Sequence, residues 1–217
     1  MYHIEKEIYN QFVSLRKTTE LIAQNQHKIT LLTANKSTII FVGSGSSYSI
    51  AKSASVMMNL RTSKKSSAIA AGDILLNFSS YKDLLQESLI VSISRSGSTS
   101  ELVFALELAS QNSDCEIISI CTRENSRIEA FAALNMVIPW AFDQSVCQTQ
   151  TVSNLFASTI MLTAITAHDT DLEEEMDSIS HFADNFMEKY VDILKSIGQS
   201  DFSHGIVLAD CELAGIA

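Results

Sequence analysis

A doubly wound α/β domain, with a five-stranded parallel sheet covered by helices on both faces, is the fold this sequence predicts. Three observations carry that expectation. Short, nearly continuous runs of Ile, Val, Leu and Phe recur along the chain, too apolar for strands with one face in water. Stretches of helical period separate them. Two glycine-kinked, serine-rich turns, GSGSSY (43–48) and SRSGSTSE (94–101), follow two of the apolar runs. Alternation of this kind makes a three-layer sandwich.

In chain order, Ile4, Ile8, Phe12 and Leu15 recur at helical spacing and predict an N-terminal amphipathic helix within residues 1–35. TIIFV (38–42) is the first strand, with a helix over 47–61 after it. SSAIA (66–70) and a short helix near 73–78 come next, then SLIVSIS (88–94) and a helix over 99–112. EIISICT (116–122), a helical turn near 126–131 and NMVIP (135–139) complete five strands. The apolar helix over 151–167 ends a domain spanning 36–168.

Residues 169–203 predict a linking segment built on one acidic amphipathic helix, 171–199. Leu172, Met176, Ile179, Phe182, Phe186, Tyr190, Ile193 and Ile197 form its apolar side. Asp171 and Glu174 have capping-box spacing, and DLEEE suits a solvated first turn that complements the helix dipole. HGIVLADCELAGIA (204–217) starts as a strand, turns, and begins another helix, as if opening a second unit.

Composition narrows the functional classes. Fifteen basic against 25 acidic residues give a net charge of −10, which disfavours nucleic acid or an anionic membrane surface as partner. The 46% apolar content supports a packed core. SNLFASTIMLTAITA (153–167) is too short and too rich in hydroxyls to span a bilayer, and the charged N-terminus does not read as a secretory leader. Cys115, Cys121, Cys147 and Cys211 show no metal-ligand spacing; Cys115 and Cys121 flank a core strand, and a reducing, cytoplasmic setting is expected. No metal or cofactor is expected.

In open parallel sheets, ligands bind beyond the carboxyl ends of the strands, and phosphate favours helix N-termini with their free N–H groups. Both serine turns occupy such positions. Ser94, Ser96, Ser98 and Thr99 offer four hydroxyls around Gly97, where the backbone can approach a ligand closely. Capping by Thr99 or Ser98 accounts for one hydroxyl, not for four. In the first turn, Gly43-x-Gly45 opens like a dinucleotide fingerprint, but Tyr48 stands where the third glycine belongs, and no GK[ST] follows for a P-loop.

The pair VGSGSSY and SISRSGSTSEL resembles the SIS (sugar isomerase) domain, a flavodoxin-like sandwich in which two strand-end turns bind a phosphosugar. The resemblance covers about residues 36–165. It implies phosphate contacts from the hydroxyls of Ser94, Ser96 and Thr99, with Ser98 beside them, and from the N–H groups of Arg95 and Gly97. Gly45, Ser46 and Ser47 of the first turn would face the sugar. DQSVCQTQ (143–150) is similar to the family's ExSVAQTK segment and implies sugar contacts from Val146 and Gln148; Asp143 replaces Glu, and Gln150 replaces a common Lys.

Ketose/aldose isomerisation also needs a base, and none of the five histidines, His3, His27, His168, His181 and His204, lies in either turn. In two-domain members the resemblance puts the catalytic Glu, the ring-opening His and a Lys in the second half, beyond residue 217. The expectation is therefore the first half of an aldose/ketose (amino)sugar-phosphate isomerase, deaminase or deglycase, commonly a homodimer. The alternative is an inactive sensor of hexose or amino-sugar phosphate; the absence of a helix-turn-helix ahead of residue 36 weighs against a regulator of transcription.

Overall fold

The computed structural model describes residues 2–179 and 182–216. Five strands, β1 (Thr38–Gly43), β2 (Lys65–Ala70), β3 (Leu89–Ser94), β4 (Glu116–Cys121) and β5 (Leu134–Val137), form one sheet in the order β2-β1-β3-β4-β5. Every pairing is parallel. β1 is flanked by β2 on one side and β3 on the other, so the winding direction reverses between β1 and β3. That reversal opens a crevice at their carboxyl ends.

Strand side chains alternate between two apolar clusters. Ile39 and Phe41 join a cluster built with α1 (His3–Gln24), α2 (Gln26–Ala34), α3 (Ser46–Arg61) and α7 (Gln150–Ala167). Ile40 and Val42 point the other way, into a cluster with α4 (Ala71–Leu76), α5 (Phe78–Leu85) and α6 (Ser100–Asn112). All four are fully buried, each worth about 1.5–3 kcal/mol in water-to-core transfer. A buried polar relay pins α1 to α7: Trp140 Nε1 donates to Thr18 Oγ1 (2.9 Å), Thr18 donates to Asn154 Oδ1 (2.6 Å), and Asn154 Nδ2 donates to Ser14 Oγ (2.8 Å).

Several details differ from the sequence reading. The N-terminal helix breaks at Asn25, whose side chain donates back to the Leu21 carbonyl (2.8 Å), an internal bond that competes with the helical ladder. An additional helix, α5, follows α4 after Asn77.

The acidic stretch forms α8 (Thr170–Ile179) and α9 (Ala183–Gly198), and position 181 lies outside the described residues. Its start is capped by Asp169, whose Oδ1 accepts the Leu172 N–H (3.0 Å), not by Asp171: His168, left-handed at φ 55°, closes α7 and turns the chain straight into the next helix. Most of the expected apolar stripe faces solvent, although Phe186 meets Phe12 at 5.9 Å between ring centroids.

Residues 204–208 do not form a strand. A strand needs a ladder, and among the described residues this segment has none; Ile206, Val207 and Leu208 are 86%, 72% and 88% exposed. Beyond it, Glu212 pairs with Arg61 (2.8 Å), and the Gly215 N–H donates to Ser53 Oγ, so residues 212–215 lie on α3.

Candidate functional site

The two serine turns meet at the crevice. β1 ends at Gly43, where an added Cβ would fall 2.6 Å from the Ser47 carbonyl carbon; only glycine lets α3 begin so close to its strand. Gly45, at φ +58°, is the N-cap of α3. β3 ends at Ser94, and Gly97, at φ +60°, carries the chain toward α6. The two helices leave the same sheet edge toward opposite faces, and both N-termini flank one cavity.

That cavity, of about 160 Å³, is lined by Ser44, Ser46, Ser47, Ser94, Ser96 and Thr99, by Arg95 and Gln148, and by the apolar Ile93 and Leu102. Gln148 Nε2 donates to Ser46 Oγ (3.2 Å), which joins the loop after β5 to the first turn. No carboxyl or imidazole is among these lining groups.

Thr99 is the N-cap of α6, yet its hydroxyl makes no cap bond; it lies 3.4 Å from Ser96 Oγ instead. Ser96 Oγ accepts the Ser98 N–H (3.2 Å), and Ser94 Oγ accepts the Gly97 N–H (2.9 Å). The Gly97 N–H is thus already engaged with a hydroxyl of its own turn.

Of the residues singled out in the sequence, Ser46, Ser47, Ser94, Arg95, Ser96, Thr99 and Gln148 line the cavity. Gly45 and Gly97 shape the turns from behind. Ser98 is exposed, and Val146 is 94% exposed; neither lines it. Ser44 was not singled out. Its Oγ is buried without a hydrogen-bond partner, a costly state unless a ligand fills it, and its place between two glycines after a strand was the available signal.

Arg95 bridges two parts of the site. Its Nη1 donates to the Ser145 carbonyl (3.4 Å), and its guanidinium stands 5.8 Å from the Phe142 ring centroid; Arg123 stacks on the same ring at 4.1 Å. Asp143 is 1% exposed, and its Oδ2 accepts the N–H groups of Thr149 (2.6 Å) and Thr151 (3.0 Å). It holds the start of α7 rather than the cavity. Glu7 of α1 reaches the same loop, with Oε1 accepting the N–H groups of Gln144 (2.7 Å) and Ser145 (3.1 Å). Burial pushes the Glu7 carboxyl up, but the Ser145 hydroxyl, these two N–H groups and nearby His3 outweigh it and hold the carboxyl below the usual range.

Burial pushes the Cys121 thiol up, which suits a core thiol and not a nucleophile, while Cys147 is exposed on the loop beside Gln148. Among the described residues there is no group of three His, Cys, Asp or Glu able to hold a metal, and no helix long and apolar enough to cross a membrane.

The family model for the SIS domain matches residues 31–167. The chain belongs to the SIS domain family. Solved structures align with it over most of its length: a protein of Clostridium novyi NT (24% identity, TM-score 0.84, 100% of this chain and 58% of that one), and tagatose-6-phosphate ketose/aldose isomerase from Escherichia coli (21%, 0.78, 92% and 57%). Glucosamine-6-phosphate deaminase from Thermotoga maritima also aligns (25%, 0.71, 92% and 58%). This SIS chain spans less than two thirds of each of those proteins. Comparison with curated proteins finds no match.

Proposed function

We propose that this SIS domain binds a sugar phosphate, either a hexose or an amino-sugar phosphate. The phosphate sits in the turn between β3 and α6, on the hydroxyls of Ser94, Ser96 and Thr99 and the Arg95 N–H. The sugar extends toward Ser47 and Gln148, with Gly45 and Ser46 around it. One observation carries this reading: two serine turns from different crossovers converge on one hydroxyl-lined cavity between two helix N-termini, with the Thr99 hydroxyl uncommitted to capping. Charge-assisted hydrogen bonds of this kind contribute about 1.5–3 kcal/mol each.

The lining residues hold and orient; they supply no base for moving a proton between C1 and C2. In this reading the chain is the first of two SIS units of an isomerase, deaminase or deglycase, with residues 169–203 as linker and residues 204–217 opening the second unit. The base comes from that second unit, and the assembly is a dimer in the cytoplasm. Residues 1–217 alone then bind without turnover.

Isothermal titration with fructose-6-phosphate, glucosamine-6-phosphate and tagatose-6-phosphate tests the reading. At least one binds, and Ser96→Ala and Thr99→Ala each weaken it about tenfold. Binding indifferent to both substitutions excludes the cradle. Ser44→Ala is a sharper probe: affinity falls severalfold while Tm stays level or rises, because an unpartnered buried hydroxyl is removed. A drop in Tm without loss of affinity would make Ser44 a structural residue only.

A further inference from the structure

The loop that carries Gln148 is held from outside by a residue far away in sequence. Glu7 and its partners on that loop are 137 and 138 positions apart, and Glu7 is 7% exposed. α1 touches the same region again: Asn10 Nδ2 donates to Gln150 Oε1 (2.9 Å), and the Ser153 hydroxyl donates to Gln11 Oε1 (3.2 Å). Within the loop, Asp143 holds the far end through Thr149 and Thr151. Val146 and Cys147, between the two anchors, are exposed.

Ser145 is the shared element. Its N–H goes to Glu7 and its carbonyl accepts from Arg95, the guanidinium lining the cavity. Resting on the sugar-phosphate reading above, we infer that Glu7 is a positioning residue, which sets Arg95 and the Gln148 loop for the ligand through the Ser145 peptide. A purely structural role fits poorly. The two loop hydrogen bonds of Glu7 fall on the segment whose Ser145 carbonyl holds Arg95, rather than on another helix or strand of the core. The N–H groups at Gln144 and Ser145, with the Ser145 hydroxyl, keep the carboxylate ionised, and an ionised acceptor binds two N–H donors more strongly than a neutral one.

Two measurements on the 217-residue chain test this. Hydrogen exchange reads the link without ligand: Glu7→Ala speeds exchange of the Gln144 and Ser145 amides at least tenfold, while β3 and β4 amides stay protected. Titration with the three sugar phosphates reads the consequence. Glu7→Ala weakens binding about tenfold, and Glu7→Gln, which keeps an acceptor oxygen, stays within about threefold of wild type.

Ile117→Val, a conservative core change on β4, calibrates what lost stability alone does to binding. Unchanged amide exchange in Glu7→Ala overturns the inference. So does faster exchange with undiminished affinity, or a loss of affinity no larger than Ile117→Val shows at matched Tm. If wild type binds none of the three compounds, the sugar-phosphate reading fails, and Glu7 as a positioning residue for that ligand fails with it. The exchange data then report only whether Glu7 holds the loop, so the two failures are told apart.

Discussion

Gly97→Ala removes sugar-phosphate binding and lowers stability by about 3 kcal/mol or more, a Tm loss of roughly 6–12 °C for a chain of this size. Two independent costs add. Residue 97 sits at φ +60°, where a side chain costs about 1–2 kcal/mol, and its new Cβ would overlap the Cβ and Oγ of Ser126. Ser126 has no room to yield, since it anchors a capping box with Glu129. Gly45→Ala is the control that carries backbone strain alone: its φ is also positive, at +58°, but nothing lies within 4 Å of the added carbon, so it costs about 1–3 kcal/mol with no clash added. Thermal melts of the two variants side by side check the difference. Equal losses would mean that the Ser126 contact does not constrain the turn.

Asp143→Ala comes second, at about 3–5 kcal/mol, read as a lower denaturant midpoint with unchanged slope. The substitution strips Thr149 and Thr151 of the carboxylate that accepts their N–H groups, in a site closed to water. Asp143→Asn keeps one acceptor oxygen and costs about half as much. The loop then loses one of its two anchors, so sugar-phosphate affinity falls along with stability. A normal midpoint in Asp143→Ala would show that water takes over both N–H groups.

The three central strands were legible because each is buried on both faces and so is spelled mostly in apolar residues, TIIFVG in β1, LIVSIS in β3 and EIISIC in β4, whereas the edge strands β2 (KSSAIA) and β5 (LNMV) are only partly buried and carry polar residues. The two turns were legible for a different reason: hydroxyls at Ser94, Ser96 and Thr99 exceed what one helix N-terminus can use. Glu7 was not legible. On an amphipathic helix a lone Glu between Lys6 and Ile8 looks like any solvated residue, and its partners are 137 positions away.

Asn25 breaks a helix by a local side-chain bond that periodicity does not register. The segment 204–208 misleads in the opposite sense. Its composition is that of a strand, but strand formation is decided by the neighbour, which composition does not supply.

The make-up of the cavity lining bears on how affinity should respond to acidity. The lining includes no imidazole, the side chain that ordinarily changes charge between pH 5 and 8. A phosphomonoester does change charge there, since its second proton leaves near pH 6. Affinity measured from pH 5 to 8 should then trace the ionisation of the ligand, rising as the dianion forms and levelling above it. The same curve should be shared by every phosphorylated sugar that fits, and a sulfate ester in its place, a monoanion throughout this range, should give a flat line.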